Sequence, residues 1–162
     1  MSVDPFNYNY PKLKHNESRR DNVARYLAYA AEIAKDGTCL RRKVGAVIVR
    51  SNSVLATGFN GSPPGMPHCD DKYLAPNTAM WLQVGCLLEN DNEGNPHCVR
   101  TIHAEHNAIL QAARNGVSLA GSTLYTTTQP CGSCLMILRT VSIVESFYPD
   151  VVYVSQIKGI GE

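Results

Sequence analysis

His103, Ala104 and Glu105 form one short group with chemical potential, and Cys131 to Cys134, directly after Pro130, form another. Imidazole nitrogen and thiolate sulfur are donors that zinc takes up, and an N,S,S set fills three of its four tetrahedral positions. An open fourth position marks a catalytic zinc, because water there loses much of its proton affinity and hydroxide becomes available near neutral pH. Glu105 lies two residues from the candidate ligand His103. It is close enough to take a proton from such a water without binding the metal, to deliver it to a ring nitrogen and to assist departing ammonia. Hydrolytic deamination at C4 of cytosine or C6 of adenine requires this set of groups.

Either group alone is weak evidence. Cys-x-x-Cys also serves as a redox pair or as half of a structural zinc site, and His-x-Glu often arises by chance. Together, with Pro130 before Cys131, they reproduce the H-x-E … P-C-x-x-C pattern of zinc deaminases. The elements that must position them agree. HAEHNAILQAARNG (103–116) has a helical pattern ended by Gly116, and CGSCLMILRTV (131–141) opens a helix after Pro130. Both groups therefore fall at helix N-termini. Sulfurs three residues apart on a first turn share a face, and the exposed N–H groups there stabilise thiolate, the form that binds metal.

Around these helices, residues 18–36 place Val23, Tyr26, Leu27, Ala30, Ile33 and Ala34 on one helical face, with Gly37 as the stop. KVGAVIVR (43–50) and VLATGF (54–59) read as a hairpin turning at 51–53, and NGSPPGMP (60–67) as a loop. STLYTTT (122–128) and DVVYVS (150–155) read as strands, whereas 68–100 has weak periodicity and reads as a long loop. The order helix, hairpin, helix, strand, helix, strand predicts an α/β domain whose sheet contains parallel members and is covered by helices. Residues 1–17 read as an N-terminal arm and 18–162 as one domain.

The chain has 162 residues, enough for one core, and a net charge of +1. No basic stripe is visible, so a small ligand is expected and nucleic acid is not. No apolar run approaches the roughly 20 residues of a membrane span, and the first residues lack a signal core. A cytoplasmic protein follows, in the host cytoplasm if the source is viral.

Four further cysteines, Cys39, Cys69, Cys86 and Cys98, accompany His68 and His97. They suit a closed structural zinc site pinning the long loop, the alternative being free thiols in a reducing compartment. Cys39, Cys69 and Cys86 are the favoured ligands; the fourth is Cys98 or His97, and His68 could replace Cys69. Tyr73, Trp81 and Leu82 read as loop packing, His106 as a surface or supporting residue of its helix, and ENDNEG (89–94) as a solvated tip.

The segments VGAVIV (44–49), TGFNGSPPG (57–65), TIHAEHNAIL (101–110), GSTLYTTTQPCGSC (121–134) and VVYVS (151–155) resemble the deoxycytidylate (dCMP) deaminases within the cytidine deaminase superfamily. The GFNGSP segment is the telling one, since HAE with PCxxC is shared across the superfamily. The resemblance implies a three-layer α-β-α fold, with a mixed central sheet and helices on both faces. It implies conversion of dCMP to dUMP, a catalytic Zn2+ on His103, Cys131 and Cys134, and Glu105 as proton shuttle. It also implies Asn60 at the sugar, Ala104 offering backbone contact to the base and Tyr153 flanking the pocket. The loop after Asn60 would lie near the nucleotide, where Gly and Ser expose N–H groups suited to phosphate. A homohexamer activated by dCTP and inhibited by dTTP is implied, with Phe59, Gly61, Ser62, Arg114 and Asn115 as allosteric or interface positions. Some such enzymes carry a second zinc, and Cys39 and Cys69 fall where its ligands would be. Enzymes of free cytidine usually have Cys in place of His103, and a tRNA editor should be more basic than this chain.

Overall fold

A computed structural model describes residues 17–90, 94 and 96–149. Its first helix, α1, runs Glu17–Ala34 and ends before the turn at Gly37. A hairpin follows, with β1 (Gly45–Arg50) and β2 (Ser53–Phe59) antiparallel around Ser51 and Asn52, both at positive φ. Asn tolerates that backbone, and Tyr26 and Arg25 of α1 hold it: the Tyr26 hydroxyl lies 2.8 Å from Asn52 Oδ1, and Arg25 donates to the same oxygen at 2.8 Å.

Four three-residue strands come next: β3 (Lys72–Leu74), β4 (Trp81–Gln83), β5 (Leu88–Asn90) and β6 (Pro96–Cys98). They pair as two small antiparallel hairpins, β3 with β4 and β5 with β6. The expectation of a plain loop over 68–100 is corrected here. Strands of three residues, most of them fully exposed, carry no readable alternation. Tyr73, Trp81 and Leu82 are exposed on the first hairpin, so they do not pack as expected.

The chain then forms α2 (Ala104–Arg114), β7 (Thr123–Thr126), α3 (Gly132–Thr140) and β8 (Glu145–Phe147). The main sheet has the order β2-β1-β7-β8; β1 pairs antiparallel with β2 and β7, and β8 lies parallel to β7 across the α3 crossover. The strand after α3 thus begins at Glu145. The strand expected at 150–155, Tyr153, and the arm expected over 1–17 lie outside the described residues, apart from Glu17, which opens α1.

Strand β1 is buried on both faces, and its alternation sorts the helices. Val47 and Val49, with Tyr125 of β7, pack under Tyr26 and Ala30 of α1. Ala46, Ile48 and Leu124 point the other way, onto Ala104, Ala108 and Ala112 of α2 and Leu138 of α3. The result is a sheet between two helical layers. Two glycines set how closely those layers sit. A Cβ at Gly45 would stand 2.0 Å from the Ala30 carbonyl oxygen, and one at Gly58 would stand 2.2 Å from that of Ala104. Gly58 therefore lets the N-terminus of α2, with His103 and Glu105, seat directly on β2.

Candidate active site and metal centre

The sheet brings the tips of α2 and α3 together. His103 is the N-cap of α2 and Cys131 the N-cap of α3, both with extended backbone, which leaves Glu105 and Cys134 in the first turns. His103 Nδ1 lies 3.3 Å from Cys134 Sγ and 3.6 Å from Cys131 Sγ, and the two sulfurs are 3.5 Å apart. These separations match three donors around one ion and are too long for an S–S bond of about 2.05 Å. Cys131 is exposed and Cys134 buried, so the group opens on one side only.

The electrostatics favour metal. Burial, then the neighbouring His106 and His97, hold His103 below its usual range, so the ring is the neutral imidazole a metal needs. Burial raises Cys131, but the Ser133 hydroxyl and the Cys134 N–H outweigh it, so its thiol ionises more easily than usual. Cys134 is pushed up by burial and by Glu105 beside it. A buried thiol facing a carboxylate and a second thiol becomes a thiolate only against a cation, and a zinc ion satisfies all three donors. Glu105 is 3% exposed and raised chiefly by burial, a setting that suits a group cycling a proton near neutral pH. His106 stacks on His103 with ring centres 5.7 Å apart, and its Nε2 is buried without a hydrogen-bond partner.

A cavity of about 430 Å³ opens over this group. Asn60, His97, His103, Ala104, Glu105 and Cys131 line it, as do Arg41, Arg42 and Gln129. Asn60 is buried and stitched in place: Oδ1 accepts from the Val44 N–H at 2.8 Å and Nδ2 donates to the Arg42 carbonyl at 2.7 Å. The Gly61 N–H is spent on the Ile102 carbonyl, Ser62 is buried, and neither lines the cavity. Phe59, just before, gives its carbonyl to Asn107 Nδ2. Arg114 and Asn115 are exposed at the far end of α2, roughly 14 Å along the helix from Glu105 at 1.5 Å per residue.

The other four cysteines also converge. The sulfurs of Cys39, Cys69, Cys86 and Cys98 all lie within 4.8 Å of one another, with 3.7 Å from Cys39 to Cys86 and 3.6 Å from Cys69 to Cys98. The fourth member is Cys98. His97 is not among the converging donors; it lines the cavity, as Cys98 itself does. His68 does not replace Cys69; its Nδ1 lies 2.9 Å from Thr38 Oγ1. Burial and the adjacent thiols push Cys69 up to about 12. Cys98 is brought down to about 7, because the Arg100 N–H and the Cys69 thiol outweigh its burial.

Residues 20–149 match the cytidine and deoxycytidylate deaminase zinc-binding region. The chain belongs to this family. Within it, the chain is 38% identical over 125 residues to ComE operon protein 2 of Bacillus subtilis, covering 77% of this chain and 57% of that protein. It is 36% identical over 129 residues to deoxycytidylate deaminase of Saccharomyces cerevisiae, covering 79% of this chain and 36% of that one. With deoxycytidylate deaminase of Mycobacterium phage D29 it shares 35% over 132 residues, covering 82% and 97%. The chain thus spans about half or less of the first two relatives and nearly all of the third. A dCMP deaminase from cyanophage S-TIM5, solved in complex with dCMP and dUMP, superposes with TM-score 0.60 and 25% identity over 82% of each chain. The fold is cytidine deaminase-like.

Arg41, Arg42, Thr101, Thr128 and Gln129 line the cavity without having been singled out in the sequence. The one available signal was the Arg-Arg pair between Cys39 and the first strand.

Proposed function

We propose that the chain catalyses hydrolytic deamination of dCMP to dUMP and ammonia, which supplies dUMP for thymidylate synthesis. The observation that carries this reading is a buried carboxylate, Glu105, beside an open His103, Cys131, Cys134 donor set within a nucleotide-sized cavity. Zinc held by those three residues supplies the Lewis acidity that makes water a usable nucleophile near neutral pH. Glu105 accepts the proton of the attacking water and passes it to N3 of the ring as oxygen bonds to C4. It then takes the remaining proton from the new C4 hydroxyl and delivers it to the amine, so that the C4–N bond breaks, ammonia departs and the C4 carbonyl is left.

Asn60 borders the sugar in this reading, the Ala104 backbone borders the base, and Tyr153 flanks the pocket. Cys39, Cys69, Cys86 and Cys98 hold a second, closed zinc. A homohexamer activated by dCTP and inhibited by dTTP, with Phe59, Gly61, Ser62, Arg114 and Asn115 at allosteric or interface positions, completes the proposal, in a cytoplasmic setting. No helix among the described residues is long and apolar enough to cross a membrane. The test is ammonia release and the ultraviolet change on incubating purified protein with dCMP. Turnover of another nucleotide with dCMP left untouched would defeat the substrate assignment.

A further inference from the structure

Asn60 lines the cavity, and its side chain is bonded at both ends to the entry of β1, through the Val44 N–H and the Arg42 carbonyl. Neither bond reaches α2, whose tip carries His103 and Glu105. The register between that wall and the reacting tip is set where the chain leaves β2. Two tethers flank Asn60 there. After it, Gly61 and Ile102 exchange backbone hydrogen bonds of 3.3 and 2.9 Å, directly before His103. Before it, Asn107 Nδ2 donates to the Phe59 carbonyl at 2.7 Å. The first tether is main chain on both sides; the second hangs on one side chain. The Asn107 N–H also donates to the His103 carbonyl at 2.9 Å. One residue therefore closes the first turn of α2 and reaches the strand in front of Asn60.

β2 is an outer strand of the main sheet among the described residues. The groups on its free side have no neighbouring strand, and backbone groups left unpaired in a packed setting are costly. Helix α2 supplies the partners instead. Gln111 Oε1 accepts from the Thr57 N–H at 2.7 Å, one helical turn beyond Asn107. Four residues of helix rise about 6 Å and two of strand about 7 Å, so side chains on one helix face meet alternate residues of the strand. The two bonds are alike in kind and differ in place. That of Asn107 stands beside the catalytic turn, whereas that of Gln111 is exposed and farther from it. Asn107 is not part of the cavity lining, so a bound base does not touch it. We propose that Asn107 is a positioning residue, an inference that rests on the deamination reading above. Its carboxamide keeps the Asn60 wall in register with His103 and Glu105, so that a bound base meets Glu105 in reacting geometry. Gln111 makes the same kind of bond without that role.

The test compares Asn107→Ala with Gln111→Ala in the full chain, below the melting range of each, with dCMP or whichever nucleotide the unmutated chain turns over. Each variant removes one helix–strand bond, so both should lower Tm, and zinc content should match that of the unmutated chain. Asn107→Ala should lower kcat about ten- to hundredfold while KM moves less than about threefold, since a shift of about 1 Å at the reacting groups is worth that much in rate. Gln111→Ala should keep kcat within about threefold. Asn107→Asp has the same size but no proton to donate at neutral pH, so it should lose kcat as Asn107→Ala does; it carries the comparison if Asn107→Ala does not fold. Asn107→Gln restores a donor and should recover part of the rate. Equal kcat losses at the two positions, or a loss confined to KM, would overturn the positioning role. So would an Asn107→Asp variant that keeps the parent rate. Unmutated protein that turns over no nucleotide would instead overturn the deamination reading, and this inference with it.

Discussion

Two groups of side chains in this fold converge as metal donors would, and what surrounds them differs more than what they are made of. In the first, His103, Cys131 and Cys134 sit on two helix tips, Cys131 is exposed, and a buried carboxylate stands beside them. In the second, four sulfurs come from loops and short strands, three of the residues are buried, and no acid joins the cluster. Sulfur donors dominate both, so donor type does not separate chemistry from scaffolding. The separation comes from an open coordination corner, a proton-transfer group within reach, and rigid helix ends to aim them.

The largest effect that could break this contrast is at Glu105. Glu105→Gln keeps the size and burial of the side chain but removes the proton acceptor. The rate should fall by roughly 10²- to 10⁴-fold, the usual worth of a general acid–base. Zinc content and the circular dichroism spectrum should not move. Retained turnover would erase the distinction between the two groups.

Ligand substitutions should then separate the groups in opposite directions. Cys131→Ser is expected to abolish turnover while lowering Tm by no more than a few degrees, since Cys131 is exposed at a helix cap. Cys69→Ser, at a fully buried position, should cost at least about 3 kcal/mol through lost metal binding, or roughly 10 °C in Tm. Metal analysis should give two zinc ions in the unmutated chain and one in either variant. Equal Tm losses would mean that both centres are structural.

Much of the first group was legible in the sequence because its geometry is local. Three-residue spacing at a helix start, and a His-x-Glu at another, fix which side chains share a face before any tertiary contact forms. The strand and helix cores were legible for the same reason: Val47 and Val49 against Ala46 and Ile48 already divide the sheet into two faces. The second group was only partly legible. Cys39, Cys69 and Cys86 could be named, but choosing between His97 and Cys98 needs the pairing register of β6, which three residues do not encode. Arg41 and Arg42 escaped because two adjacent charges before a strand look like solvated surface. Only the fold brings β6 and Asn60 against them.

The glycines test whether the helix tips owe their position to close packing. Alanine at Gly58 would put a methyl 2.2 Å from the Ala104 oxygen and 2.4 Å from the Ala108 nitrogen, pushing α2 off the sheet. Alanine at Gly45 would do the same to α1 through Ala30 and Ala34. Each should cost about 1–3 kcal/mol of stability, the usual toll of overpacking. They should part company in activity. Gly58→Ala displaces His103 and Glu105 and should lower kcat at least tenfold below the melting range, whereas Gly45→Ala should leave kcat within about threefold, since 1 Å at the reacting groups is worth far more than 1 Å elsewhere. Equal kcat losses would show that the active tip is not seated through Gly58.

The smallest expected effect lies on the hairpin beside the sulfur cluster. Trp81 is 64% exposed on β4, opposite Leu74 at 52%. A side chain with so little burial contributes little to this chain's own stability, whatever its size, because the hydrophobic term scales with area removed from water. Trp81→Ser should therefore change stability by less than about 0.5 kcal/mol in a denaturant titration and leave kcat for dCMP untouched. A loss of several kcal/mol that deepens with protein concentration would mean that another copy of the chain covers this face. The second group would then be holding a subunit contact as well as the rim of the cavity.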